Sequence, residues 1–272
     1  MNTKKIIVST LVIALSIGGF TSCKKKGCTD SAATNYNAAA TSDDGSCEFV
    51  TTPVTPTPSA TAPGGYSPTF TGSYGLLVGI KSLSTTSVGG INIDTSIGTA
   101  VATFSNDGGV TNETAGGIDA NGDVLTMQTN NSYVFTPGVT MPTGITFTSP
   151  LAWTGTGATW PAFTASTSIG FAVLDDFTPA APSTSADYTV TATAISNADS
   201  IYYSVIGPNG TLYFVEPAGT MSHTFLAADM ATIGAGTGYV QIVGINYDPQ
   251  TIGGNSYWIM NETVRTKSVT IN

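Results

Sequence analysis

From residue 66 to the C-terminus, the chain consists of short segments rich in Thr, Val, Ile and aromatic residues, and turn dipeptides separate them. β-Branched and aromatic residues favour strands, whereas helices are usually rich in Lys, Glu and Arg. Charged residues make up only 9% of the whole sequence. About 205 residues of this kind can bury a large core as one large or two ordinary domains. The sequence therefore predicts an all-β fold of one or two antiparallel β-sandwiches.

Turn signals locate the strands and two hairpins. Asn121-Gly122 predicts a type I′ hairpin, and Pro208-Asn209-Gly210 predicts a second one. Thr224 is predicted to cap a short helix. A Pro/Ser/Ala-rich stretch at residues 179–185 indicates a boundary between a β domain, residues 66–178, and an immunoglobulin-like or fibronectin-like sandwich, residues 179–272. The predicted strands are residues 74–80, 98–104, 124–128, 144–148, 169–174, 188–195, 201–206, 212–215, 239–247 and 264–271.

The N-terminus has the features of an export signal. Lys4 and Lys5 form a short basic region, and residues 6–20 form an apolar run that ends in the small residues Thr21 and Ser22. A membrane-spanning helix needs about 20 apolar residues, so this run is too short to be retained as one. We expect residues 1–22 to be removed as a signal peptide.

Residues 20–23, Phe-Thr-Ser-Cys, resemble the lipobox of bacterial lipoproteins. The resemblance implies that Cys23 receives a diacylglyceryl group and becomes the N-terminus, with fatty acids such as palmitate attached. Cys28 and Cys47 then remain as a natural pair for a disulfide in an oxidising compartment. Residues 23–27 form a lipidated basic anchor. We expect an outer-membrane location, with the folded part either in the periplasm or at the cell surface.

Residues 28–47 form a small acidic unit closed by the two cysteines. Its Cys-x-Asp start, Asn-Tyr-Asn centre and Asp-Asp-Gly-Ser-Cys end resemble a repeat of exported proteins of Bacteroidota. Asp30, Asp43 and Asp44 are weak candidates for a calcium site, since calcium prefers oxygen ligands. The favoured alternative is that these side chains cap local turns. We expect no cofactor and no metal requirement.

Two further resemblances bear on the envelope location. Asp30-Ser31-Ala32 and Asp199-Ser200-Ile201 resemble the O-glycosylation signal of Bacteroidota, so Ser31 and Ser200 are candidate acceptors. The folded region, above all residues 239–272, resembles uncharacterised lipoproteins of that phylum, which have no known activity to transfer. Residues 48–65 are rich in Thr and Pro and are predicted to form an extended linker.

Few residues suggest catalysis. His223 is the only histidine in the sequence, and no Gly-x-Ser-x-Gly motif is present. Asp175-Asp176 are adjacent in a strand-like segment, so their side chains are expected to point to opposite faces, not into one cleft. We therefore expect no catalytic residues. The alternative is a glycan-degrading enzyme or a glycan-binding accessory protein.

Aromatic residues and charge indicate the class of partner. Trp153, Trp160 and Trp258 are candidate glycan-stacking residues, and core packing is the alternative. All 17 acidic residues but only three cations lie beyond Gly27, which gives that part a net charge of −14. Nucleic acid binding needs clustered cations, so we do not expect nucleic acid as a partner. The sequence therefore predicts a membrane anchor through lipid, a glycan or protein ligand, and a non-enzymatic binding or display role.

Overall fold

A computed structural model describes residues 25–47, except 32 and 34, and residues 68–272, except 69, 89 and 90. The chain forms two compact units, Met1–Thr52 and Pro53–Asn272. The predicted signal peptide, the predicted lipidation site Cys23 and the predicted linker at residues 48–65 lie outside the described residues. Within the described residues, every helix is too short or too polar to cross a membrane.

The first unit is held by the predicted disulfide, which is confirmed. Cys28 and Cys47 are bonded, with their Cα atoms 4.8 Å apart. The backbone N–H of Asn37 donates to the carbonyl of Cys28 at 2.9 Å, and the N–H of Thr41 donates to the carbonyl of Lys25 at 2.9 Å. Since about 20 residues are too few for a hydrophobic core, the disulfide and these local hydrogen bonds hold the unit together.

The second unit is almost entirely β-structure, as predicted. Its described residues form 15 strands and one helix. In chain order they are β1 (Tyr74–Val88), β2 (Ile91–Ser105), β3 (Ile118–Ala120), β4 (Asp123–Met127), β5 (Tyr133–Phe135), β6 (Leu151–Gly155), β7 (Phe163–Thr167), β8 (Val173–Leu174), β9 (Tyr188–Thr191), β10 (Ile195–Ser196), β11 (Ser200–Gly207), β12 (Gly210–Pro217), β13 (Ser222–Phe225), α1 (Ala227–Met230), β14 (Gly236–Ile252) and β15 (Asn255–Ile271).

Eleven strands form one mixed sheet. Its order is β12-β11-β14-β15-β1-β2-β5-β4-β3-β6-β7, and two small sheets, β8–β10 and β9–β13, accompany it. Strands β1 and β15 are parallel, with Tyr74 opposite Ser256 and Leu83 opposite Arg265. This pairing joins the first and last strands, so the predicted domain boundary near residue 179 does not separate two sheets. Residues 179–272 therefore do not form a separate immunoglobulin-like sandwich.

Two apolar cores lie on one face of this sheet, which we call the inner face. The first core packs Leu77, Phe104 and Ile259 against side chains from β3, β6 and β7. The second packs Ile201, Tyr203 and Ile242 against side chains from β8, β9, β13 and the helix region. Side chains alternate along a strand, so every second residue of β15 contributes to this face. The fold is thus an all-β sandwich in which one large sheet contributes side chains to two cores.

A polar row on the inner face separates the two cores and binds residues 169–176, which we call the crossing segment. Asn261 Nδ2 donates to the carbonyl of Ile169 at 2.8 Å, and Thr263 Oγ1 donates to that of Ala172 at 2.7 Å. Arg265 Nε donates to the carbonyl of Leu174 at 2.8 Å. These donors are alternate residues of β15. The chain therefore passes from the first core to the second along a line of side-chain hydrogen bonds.

Local signals predicted the hairpins well. Asn121 and Gly122 have φ of 52° and 87°, as a type I′ turn requires, and Ala120 pairs with Asp123. Strands β11 and β12 form the second predicted hairpin.

Three local predictions are wrong. Residues 144–148 form no strand, and in the crossing segment only Val173 and Leu174 do. The helix starts after Leu226, because Thr224 is already paired with Thr189 in a strand. In these places tertiary hydrogen bonds and packing outweigh local propensity.

Candidate binding surface

The three tryptophans predicted to stack on sugars are all buried. Trp153 and Trp160 lie fully buried in the first core, where Trp160 Nε1 donates a 2.9 Å hydrogen bond to Tyr257 Oη. Trp258 lies on the opposite side of the sheet and exposes 4% of its surface, in edge contact with Phe70. A ring must expose its face to stack on a sugar. The structure therefore corrects the prediction that Trp153, Trp160 and Trp258 bind glycan.

The two candidate glycosylation sites differ in exposure. Ser31 lies on the surface of the first unit. Ser200 is fully buried at the start of β11, where it pairs with Ile245 of β14. The folded chain cannot present the buried Ser200 hydroxyl to a transferase. The structure therefore corrects the prediction that Ser200 is glycosylated, and glycosylation of Ser31 stays a prediction.

Two acidic side chains of the first unit cap local turns. Asp43 Oδ1 accepts a hydrogen bond from the N–H of Gly45 at 3.1 Å, and Asp44 Oδ1 accepts one from the N–H of Ser46 at 3.1 Å. The Ser46 hydroxyl also donates to Asp44, and this bond lowers the pKa of that carboxyl. Asp30 is exposed in the same unit. The part of the chain that the structure describes holds no group of three or more acidic, His or Cys residues suited to a metal ion.

The three cations beyond Gly27 are engaged within the fold. Arg265 is 5% exposed and lies 3.2 Å from Asp94 and 3.7 Å from Asp176, and Lys267 lies 2.6 Å from Asp176. Lys81 Nζ lies 4.2 Å from the ring centroid of Phe171, and burial lowers the pKa of this amine. The cations therefore form no basic patch. Asp176, one of the two adjacent carboxylates of the sequence analysis, forms ion pairs with Arg265 and Lys267.

His223 links the edge of the large sheet to a neighbouring strand. It lies on β13 with its side chain 15% exposed, and its ring stacks on Phe214 of β12 with centroids 4.3 Å apart. Its Nδ1 is 2.7 Å from Glu216 Oε1, also on β12. His223 is thus a partly buried residue of a strand. Its contacts hold one side of β12 in place.

Strand β12 exposes two large aromatic side chains. Tyr213 and Phe214 expose 65% and 42% of their surfaces, and no residue of β12 is buried. β12 is the first strand of the large sheet and pairs only with β11 among the described strands. An edge strand presents unpaired N–H and C=O groups that can pair with another chain. This strand combines such groups with aromatic side chains.

The opposite edge strand, β7, contacts β14 through a side chain. The carbonyl of Ser166 in β7 accepts a 2.8 Å hydrogen bond from Gln250 Nε2 of β14. The N–H of Ile169, just beyond β7, donates to Thr167 Oγ1 at 3.2 Å. Of the two edge strands of the described sheet, β12 is the one that exposes large aromatic side chains.

The outer face of the sheet, opposite the two cores, carries a third apolar cluster around Val78, Ile245 and Met260. Glu262 lies within it, between Ile80 of β1 and Ile245 of β14. Burial raises the pKa of Glu262 to about 7. The apolar residues of this cluster are largely buried, so it is not a free surface, and β12 remains the better candidate for binding.

Comparisons with protein-family models, with curated proteins and with solved structures find no match to this chain. The candidate surface therefore rests on geometry. The sequence contains a local signal for this surface. Leu212-Tyr213-Phe214-Val215 is an unbroken apolar run, which puts large side chains on both faces of one strand. In a sandwich strand with one solvent-exposed face, apolar and polar residues alternate. An unbroken apolar run therefore indicates a buried strand or an exposed edge strand.

Proposed function

We propose that this chain is a lipid-anchored protein of the bacterial cell envelope with a non-enzymatic role, and that its folded part binds a protein partner. The observation that carries the proposal is β12, an accessible edge strand with exposed Tyr213 and Phe214. Strand addition to a sheet edge uses main-chain hydrogen bonds for affinity and side-chain contacts for specificity. Tyr is also among the residues enriched at protein interfaces.

The anchor rests on the N-terminal sequence. The short apolar run, the small residues before Cys23 and the assignment of the other two cysteines to one disulfide support lipidation. Two acyl chains give stable membrane binding, whereas one alone does not. Labelling cells with a clickable fatty acid tests this: the wild type should be labelled and Cys23→Ala should not. Label that persists in Cys23→Ala contradicts the anchor.

Charge supports a protein rather than a polyanion as partner. Beyond Gly27 the chain has a net charge of −14, and Arg265 and Lys267 are paired with carboxylates. A polyanion such as nucleic acid would be repelled, because binding phosphates requires free Lys and Arg. The glycan alternative required an exposed tryptophan beside carboxylates. Since Trp153, Trp160 and Trp258 are buried, we favour protein binding over glycan binding.

A photo-cross-linking amino acid at position 213 tests protein binding in living cells. We expect ultraviolet light to give a discrete cross-linked band from position 213. The matched control is position 124 in β4, because Val124 is similarly exposed, at 70%, but lies away from β12. If position 213 gives no more cross-linked product than position 124, the binding role of β12 is refuted.

A further inference from the structure

We propose that the partner of β12 is β12 of a second copy of the chain, in an antiparallel pair centred on Tyr213. This inference rests on the proposed binding role of the same strand. The pair would join two eleven-stranded sheets into one continuous sheet across a two-fold axis, which is the commonest symmetry of protein dimers.

The register of the hairpin shows which backbone groups face outward. Gly207 and Gly210 flank the two-residue turn and pair with each other, as a hydrogen-bonded pair does at such a turn. Hydrogen-bonded and non-bonded pairs alternate along antiparallel strands. The N–H and C=O groups of Thr211, Tyr213 and Val215 therefore point away from β11. The described backbone hydrogen bonds include none to these three residues from any other segment.

These outward groups are suited to self-pairing. When Tyr213 faces Tyr213 of the second copy, Thr211 faces Val215, and the three residues on each strand exchange hydrogen bonds. On one face of the joined sheet the two tyrosines are direct neighbours, and aromatic cross-strand pairs are favourable. On the other face Leu212 lies beside Phe214 of the second copy. Each large apolar side chain thus gains a partner of the same kind.

Charge favours this register. Glu216 is the only charged residue of β12. In the proposed pair it lies opposite Gly210 of the second copy, so the two Glu216 carboxylates are separated by about six residues, or roughly 20 Å along the strand. Each carboxylate also has His223 beside it within its own chain. The strand contains no lysine, a residue that often keeps edge strands apart.

A cysteine cross-link tests both the partner and the register. In the lipid-free chain from residue 24, which contains both described units, Cys28 and Cys47 are bonded to each other, so an added cysteine is the only free thiol. Cα atoms in a hydrogen-bonded antiparallel pair are about 5.5 Å apart, within disulfide range. Tyr213→Cys should therefore form a covalent dimer under mild oxidation. Thr211→Cys should not, because the two copies of residue 211 would lie about 13 Å apart. Val124→Cys is the control for random collision.

Sedimentation equilibrium tests the dimer without cysteine. The wild type should reach twice the monomer mass as its concentration rises, and Tyr213→Lys should associate at least about tenfold more weakly, because like charges would face each other. Val124→Lys should behave as the wild type. A wild type that stays monomeric, or equal cross-linking at positions 211 and 213, overturns the inference. Cross-linking in cells to a protein of another mass would overturn it too, while leaving the proposed binding role intact.

Discussion

Replacing Arg265 by Met should destabilise the second unit by disrupting the link between its two cores. The guanidinium is 5% exposed, donates to the carbonyl of Leu174 at 2.8 Å and to Thr85 Oγ1 at 2.9 Å, and lies 3.2 Å from Asp94. A buried acceptor that loses a charged donor costs about 1.5–3 kcal/mol. The ion pair with Asp94 adds little, because Asp94 is 60% exposed and its charge is screened by solvent. We therefore expect a loss of about 2–4 kcal/mol.

Urea unfolding of Arg265→Met against wild type measures this loss, and a thermal scan should show a fall of roughly 4–16 °C. Lys267→Met is the matched control. Lys267 lies on the same face of β15 and pairs with Asp176, but its side chain is 27% exposed, so we expect about 1 kcal/mol or less. If Arg265→Met costs no more than Lys267→Met, the hydrogen bond to the crossing segment does not stabilise the fold as argued.

Three further predictions concern pH, the disulfide and modification. The pKa of Glu262 is raised by burial from 4.5 to about 7 in the folded chain. The folded state therefore binds more protons than the unfolded state, and wild-type stability should fall as the pH rises from about 4.5 to about 7, by up to about 3 kcal/mol. Glu262→Gln should lack this fall in urea titrations at several pH values, and an unchanged pH profile would contradict the burial of the carboxyl. Replacing Cys28 and Cys47 by Ser should cost the first unit about 3 kcal/mol, as hydrogen exchange of its amides would show; a calcium chelator should have no such effect, and a large effect would reveal a metal site. Finally, intact mass of protein from its native cells should show glycan that Ser31→Ala removes, whereas an unmodified polypeptide mass apart from lipid would exclude the modification.

The sequence alone determined the features that depend on neighbouring residues. Asn121-Gly122 predicted its hairpin because both central positions of a type I′ turn need positive φ, and the structure shows positive φ at both. The strand-forming composition beyond residue 66 predicted an all-β fold. The pairing of Cys28 with Cys47 followed from the assignment of the third cysteine to lipid, and the structure contains that disulfide.

The tertiary structure decided the features that depend on distant residues. Composition near residue 179 suggested two domains, but β1 pairs with β15 some 180 residues away and makes one sheet. The crossing segment has the composition of a strand, yet side chains of β15 hold much of it outside any sheet. The burial of Trp153 and the exposure of Tyr213 depend on which strands lie inside the sheet and which lie at its edge. Turn chemistry acts over a few residues and can be read locally, whereas strand order reflects the packing of the whole chain.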